Sequence, residues 1–314
     1  MRAAVIKRYG AQDKFAIEDI DEPALQDDEI LIKVEACSIN LIDYEIKAGV
    51  FRFLTGFSFP MVLGCEVSGR IVNANKSKNF ENCEMVMALT NPMLYNGGFA
   101  EYMKVKEKDI YMKPKNLSHA ETASIIKGGL VALGLFEGQN LRNKHIMVYG
   151  CRNSVGSAIV QVAKQLGANV TCLCTYKNVD IAREIGADQI IDFTFSDLHK
   201  NTGKYNIVID TVGNLTYQQV KHNLAKHAEF VTTLPDARLF MLSWFNFMFR
   251  QKFKVALAHA QKHYFKRLKE LAEQGIIKPF INITMPLEEI DEALKLTINK
   301  RTRGKVVLKV GTEP

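Results

Sequence analysis

The chain has 314 residues, 47% hydrophobic and 24% charged, an ordinary composition for a globular protein with room for two domains or one large α/β domain. Its formal charge of +7 is spread along the sequence, which suits a site for an anionic cofactor better than a nucleic-acid stripe. No run approaches the ~18 apolar residues of a membrane span, and the start, MRAAVIKRYG, runs straight into strand-like sequence without signal-peptide form.

The first ~118 residues read as β-rich, with short strands at Met1–Lys7, Glu29–Ala36 and Val67–Val72 separated by turn residues. From His119 the texture changes to helical patterns alternating with short apolar strands, including Ile207–Asp210 and Phe230–Thr233. That alternation predicts an α/β, mostly parallel sheet with helices on both faces. After Phe280 the pattern is strand, turn and helix, and the closing strand Gly304–Val310 returns to the first domain. The expected division is residues 1–118 with 266–314 against 119–265. The six cysteines, Cys37, Cys65, Cys83, Cys151, Cys172 and Cys174, include no C-x-x-C pair, so a reduced, cytoplasmic protein is expected.

Lys144 to Lys177 carries the most information. It reads as a strand (His145–Tyr149), a turn (Gly150, Cys151, Arg152, Asn153, Ser154, Val155, Gly156), a helix, a second strand (Asn169–Cys174) and then Thr175, Tyr176 and Lys177. This is the first half of a dinucleotide-binding unit, in which glycines admit a pyrophosphate to the positive end of the helix. Val155, Ile159, Val162 and Leu166 give that helix one apolar face. An acid at the end of the second strand would bond the 2′-OH of NAD. Thr175 and Lys177 suit a 2′-phosphate instead, so the expected cofactor is NADPH. Asn153 replaces the middle glycine of the turn. It either tolerates a positive φ, with Arg152 offsetting its bulk, or marks a weakened site.

Several separate stretches resemble the zinc-independent quinone oxidoreductase branch of the medium-chain dehydrogenase/reductase superfamily. They are Glu35 to Asp43 with Ala36, Asn40 and Asp43 (A-x-x-x-N-x-x-D), Pro60 to Gly69 (P-x-x-x-G-x-[DE]-x-x-G), Gly97 to Tyr102 (G-G-[FY]-A-E-Y), Pro286 to Ile290, and Arg303 to Leu308 (R-G-K-V-V-L). The resemblance implies a GroES-like, β-rich substrate domain, a Rossmann doubly wound domain, a cleft active site between them, and a homodimer. The zinc-dependent branch holds its metal at positions that match Asn40, Cys65 and Lys127 here, a poor donor set. Glu66, beside the second of these, is expected to be structural. His259 and His263 form an H-x-x-x-H pair in basic surroundings, read as a solvated helix face.

Without zinc, the chemistry the resemblance implies is hydride transfer to a quinone or an α,β-unsaturated carbonyl. Asn40 would donate a hydrogen bond to the acceptor. Lys127 would stabilise or protonate the reduced oxygen, pair with Glu66 or a cofactor phosphate, or face solvent. The family's usual threonine in that segment is Val131, which removes one cofactor contact, and Glu45 and Phe51 replace a tyrosine pair found in some members. Tyr176 or Phe193 would flank the adenine, Val212 in Asp210–Gly213 would pass the ribose, and Lys305 would reach a phosphate. Leu239 to Lys269 interleaves aromatic and basic residues and is expected to be a lid or interface element, with peripheral membrane contact, which would suit a lipid-soluble quinone, as the alternative. The competing readings are a non-catalytic NADP(H)-sensing or scaffold protein with the same fold, and RNA binding by the basic surface.

Overall fold

Strands β1 (Arg2–Ile6), β2 (Ala16–Asp19) and β4 (Met61–Val62) form a small antiparallel sheet in the order β2-β1-β4. A larger, mixed sheet of seven strands follows: β3 (Glu29–Ser38), β5 (Glu66–Asn73), β6 (Met85–Leu89), β7 (Tyr102–Lys106), β8 (Ile110–Met112), and the late strands Ile281–Pro286 and Lys305–Lys309. Here a computed structural model describes residues 1–93, 97–192, 203–234, 252–299 and 302–311. The small helices α1 (Leu41–Lys47) and α2 (Arg52–Thr55) lie between β3 and β4 in sequence. Inward residues such as Ile32, Val34, Val67, Ile71 and Phe99 build one apolar core, as alternation along half-buried strands requires.

The closing strand Lys305–Lys309 pairs antiparallel with β3, with Val307 opposite Ser38. On its other side β3 pairs with β5, with Ser38 opposite Glu66. Ser38 thus stands between two strands that come from opposite ends of the chain.

Residues 1–126, 260–273 and 279–314 form one compact unit, and 127–259 with 274–278 form the other. The division falls inside helix α3 (His119–Phe136) rather than before it. Ala123 packs with Ala36 and Val307 of the first unit, which draws the opening turns of the helix there. The stretch 260–273 also goes to the first unit. Its Phe265 stacks on Tyr111 at 6.5 Å, and Asn116 donates to the Ala272 carbonyl at 3.0 Å.

The second unit is a six-stranded parallel sheet: β9 (His145–Tyr149), β10 (Asn169–Cys174), β11 (Gln189–Asp192), β12 (Tyr205–Asp210), β13 (Leu224–Thr232) and β14 (Lys252–Val255). Its order is β11-β10-β9-β12-β13-β14, the strand reversal of a doubly wound dinucleotide fold. Successive strands supply Met147, Leu173, Val208, Phe230 and Phe253 to its core.

Phe253 is the one aromatic of the 239–253 run within the described residues, and it is core. Lys254 beside it pairs with Glu229 at 2.7 Å. Trp244 and its aromatic neighbours lie outside the described residues. The helix expected to carry both His259 and His263 begins only at Lys262, so the two do not share a helix face.

Candidate active site

Strand β9 ends at Tyr149, and Gly150 turns the chain with φ +90°. A side chain there would meet Val212 Cγ2 at 2.4 Å and Thr211 Oγ1 at 2.5 Å, so glycine is required twice over, by conformation and by contact. Helix α4 (Ser154–Gln165) follows. Gly156 in its first turn sits against the strand end, where a Cβ would stand 2.4 Å from the Gly150 carbonyl oxygen.

Asn153 corrects the expectation of a strained residue. Its φ is −80° and its ψ 162°, ordinary extended backbone. It is the N-cap of α4: Oδ1 accepts from the Gly156 amide at 2.8 Å. Its Nδ2 donates to the Thr211 hydroxyl at 2.9 Å and to the Thr211 carbonyl at 3.1 Å. Its side chain is therefore folded back onto the protein and ties the turn to the end of β12. The cap satisfies the third amide of the helix. Those of Ser154 and Val155 belong to the first turn, where helix N–H groups have no intrahelical acceptor, and Arg152 adds a cation before them. This arrangement fits the diphosphate of a dinucleotide.

Asn153→Ala is expected to cost about 1 kcal/mol through the lost cap and to raise the dinucleotide Kd only a few-fold. Asn153→Gly should cost less stability. Thermal melts alongside cofactor titration check both.

Thr211 is the residue that motif reading overlooked. Its hydroxyl lies 2.9 Å from the Tyr149 carbonyl oxygen and takes the Asn153 amide as well. The next turn is held by buried Asp210, whose carboxylate accepts from the amides of Val212, Gly213 and Leu215 at 2.8–2.9 Å. Val212 is thus placed directly over Gly150. Below the turn, Cys151 is buried, and hydrogen bonding with Cys172, reinforced by desolvation, raises its thiol pKa. It stays a neutral thiol.

At the end of β10, Thr175 caps a short 3-10 turn and its hydroxyl accepts from Asn178 at 3.0 Å. Lys177 is exposed, with Nζ 5.9 Å from the centre of the Tyr176 ring. Both lie where a parallel neighbour of β9 ends. Phe193 lies outside the described residues. In α3, a Cβ on Gly128 would meet the Ser154 carbonyl oxygen at 2.3 Å. That close approach sets half-buried Lys127 one residue from the start of α4.

In the first unit, Asp43 Oδ2 accepts from the Asn40 amide at 2.7 Å, which fixes the backbone where α1 begins. The Asn40 side chain lies in a buried charged cluster. Lys305 Nζ is 2.7 Å from Glu66 Oε2 and donates to Asn40 Oδ1 at 2.7 Å. Asn40 Nδ2 donates to Glu66 Oε2 at 2.7 Å, and the Ser38 hydroxyl does so at 2.8 Å. The lysine on one side and the carboxylate on the other leave only one way to orient the carboxamide.

Lys305 is therefore not the phosphate contact that the sequence suggested. Sheet register brings it beside Ser38 and Glu66, and its ammonium is spent there. Asn40 Nδ2 is 3.9 Å from Cys65 Sγ, so two of the positions matched to zinc ligands do meet. A carboxamide, one thiol and an adjacent ammonium do not fit a zinc ion. Among the described residues no group of three or more His, Cys, Asp or Glu side chains could hold a metal, and no helix is long and apolar enough to cross a membrane.

The chain is similar to known dehydrogenases and oxidoreductases. Residues 26–115 match the alcohol dehydrogenase GroES-like domain, and residues 185–308 match a family described as zinc-binding dehydrogenase. The chloroplastic quinone oxidoreductase QR1 of Triphysaria versicolor is 29% identical over 294 residues, covering 89% of each chain. The mitochondrial NAD(P)H oxidoreductase RTN4IP1 of Mus musculus is 28% identical over an alignment of 354 positions, covering 99% of this chain and 89% of that one. The quinone oxidoreductase structure from Coxiella burnetii superposes with a TM-score of 0.90 at 24% identity, covering 99% of both chains.

Proposed function

The chain belongs to the medium-chain dehydrogenase/reductase superfamily of nicotinamide-dependent oxidoreductases, and from that premise we propose a zinc-independent, NADPH-dependent reductase of quinones or α,β-unsaturated carbonyls. The observation that carries this reading is the Lys305–Glu66–Asn40 cluster, which ties up Asn40, one of the positions matched to a zinc ligand, 3.9 Å from a second, Cys65. A site without a Lewis acid favours an acceptor that is already electrophilic. The names of the quinone oxidoreductase relatives agree with it.

When bound, the nicotinamide supplies the hydride. The protein's part is binding and charge. The Ser154 and Val155 amides, with Arg152, hold the diphosphate across Gly150 and Gly156, and Asn153 keeps the helix end in place. Val212 borders the ribose. Thr175 and Lys177 read the 2′-phosphate through a hydroxyl and a cation. Asn40 and Lys127 are the candidates for holding the negative charge that develops on the acceptor oxygen. A homodimer is proposed on the family resemblance.

The test is fluorescence titration with NADPH and then NADH, followed by a panel of quinones and alkenals. NADPH is expected to bind at least tenfold more tightly than NADH, and Lys177→Ala should lower NADPH affinity roughly tenfold while leaving NADH unchanged, one charge-assisted contact being worth ~1.5–3 kcal/mol. Equal affinity for both cofactors would remove the 2′-phosphate assignment. Tight NADPH binding without turnover of any acceptor would favour the sensing reading.

A further inference from the structure

The segment after α1, which includes the short helix α2, carries the four most exposed large hydrophobic side chains among the described residues. Val50 is 64% exposed, Phe53 80%, Leu54 72% and Phe57 64%. They fall within eight consecutive positions, so the exposure is a feature of one segment, unlike the scattered apolar residues any surface carries.

The backbone beneath them is well held. Thr55 is buried, and its hydroxyl is hydrogen-bonded to the Tyr9 hydroxyl at 2.6 Å. Tyr9 also donates to the Gly56 carbonyl. The Tyr9 ring meets Phe57 and Phe59 edge-on at 6.0 and 5.1 Å, and Phe53 meets Phe57 at 6.4 Å. Buried Lys47, at the end of α1, donates to the carbonyls of Gly10 and Ala11 at 3.1 and 3.2 Å. The apolar side chains therefore project from a supported tip.

Two observations choose the occupant. From Ala48 to Met61 the sequence has no acid and a single base, Arg52, whose guanidinium lies 5.1 Å from the Phe53 ring centre. The four side chains expose together roughly 500 Å², the size of a functional patch but short of the ~800 Å² per partner of a stable protein interface. A small convex apolar tip edged by one guanidinium fits the boundary between headgroups and acyl chains. There the rings enter the apolar layer and the cation meets lipid phosphates. We propose that the Val50–Phe57 segment inserts into the interface of an anionic phospholipid bilayer and makes this a peripheral membrane-contacting protein. The proposal does not depend on the reductase chemistry.

The test is co-sedimentation of the full chain with mixed phosphatidylcholine–phosphatidylglycerol vesicles, comparing it with Phe53→Ser/Leu54→Ser. Both replaced side chains are exposed, so the fold should persist, which thermal melts and NADPH titration check independently. Wild-type protein is expected to bind, and the double variant to partition roughly tenfold or more weakly. No binding by the wild type overturns the proposal. So does equal binding by both proteins, which would place adsorption elsewhere on the chain. A wild-type dimer that the double variant loses, with no vesicle binding by either, would assign the patch to a second copy and overturn it too.

Discussion

Gly156→Ala is expected to weaken dinucleotide binding by about 100-fold or more. The added Cβ would stand 2.4 Å from the Gly150 carbonyl oxygen, 2.9 Å from its carbon and 3.0 Å from Cys151 Cα. All three are backbone atoms of the same turn, so no side-chain rotation relieves the contact, and α4 must move away from the end of β9. Overpacking of this kind costs about 1–3 kcal/mol of stability. The larger loss is functional, because the Ser154 and Val155 amides move with the helix. Two hydrogen bonds to a charged diphosphate are worth roughly 1.5–3 kcal/mol each, so the Kd is expected to rise by about 100-fold or more. Fluorescence titration of a variant that still melts cooperatively checks this. An unchanged Kd would mean that the diphosphate does not lie on this turn.

The parts of this unit that were legible in sequence are those decided by local chemistry. His145–Tyr149 and Asn169–Cys174 begin and end as expected, because short apolar runs bounded by turn residues have little other use in a parallel sheet. The Gly150 turn was legible for the same reason. Asn153 was misread because the glycine pattern assigns a conformation to each position. An asparagine immediately before a helix, with its third residue lacking a side chain to crowd the cap, also reads as an N-cap. That signal was present in Asn153-Ser154-Val155-Gly156 and is the one that governs.

Contacts made by register were not legible. Lys305 and Asn40 are 265 residues apart, and nothing local to Arg303–Leu308 indicates a partner. A partial signal existed at Glu66, an acid inside the apolar run from Met61 to Val67, since a carboxylate in such a place needs a buried cation. The division inside α3 was hidden for a related reason. A helix that is apolar on most sides carries no mark where one core ends and another begins. Only the packing of Ala123 against Ala36 and Val307 shows which end belongs with the β-rich unit.

The Glu66–Lys305 pair gives the largest expected effect on stability. Their side chains are 0% and 8% exposed, so neither charge can return to water without disrupting the sheet. Lys305→Met removes the cation from a carboxylate that stays buried and keeps the Asn40 and Ser38 donors, and Glu66→Gln takes away the ammonium's counter-ion. Each single change is expected to cost about 3–5 kcal/mol, which at ~2–4 °C per kcal/mol lowers Tm by roughly 10 °C or more. The double variant Lys305→Met/Glu66→Gln removes both charges and should recover most of the loss, so urea unfolding of the four proteins should be strongly non-additive. Additive losses would mean that the two charges are not coupled. The same pair sets the Asn40 carboxamide, with its oxygen toward the ammonium and its nitrogen toward the carboxylate. In Lys305→Met the ammonium no longer holds Oδ1, so turnover should fall while NADPH affinity is unchanged, a split that general unfolding would not produce. In this reading a lysine of the chain itself, Lys305, engages Asn40, the position matched to a zinc ligand, and a chelator should leave wild-type activity untouched.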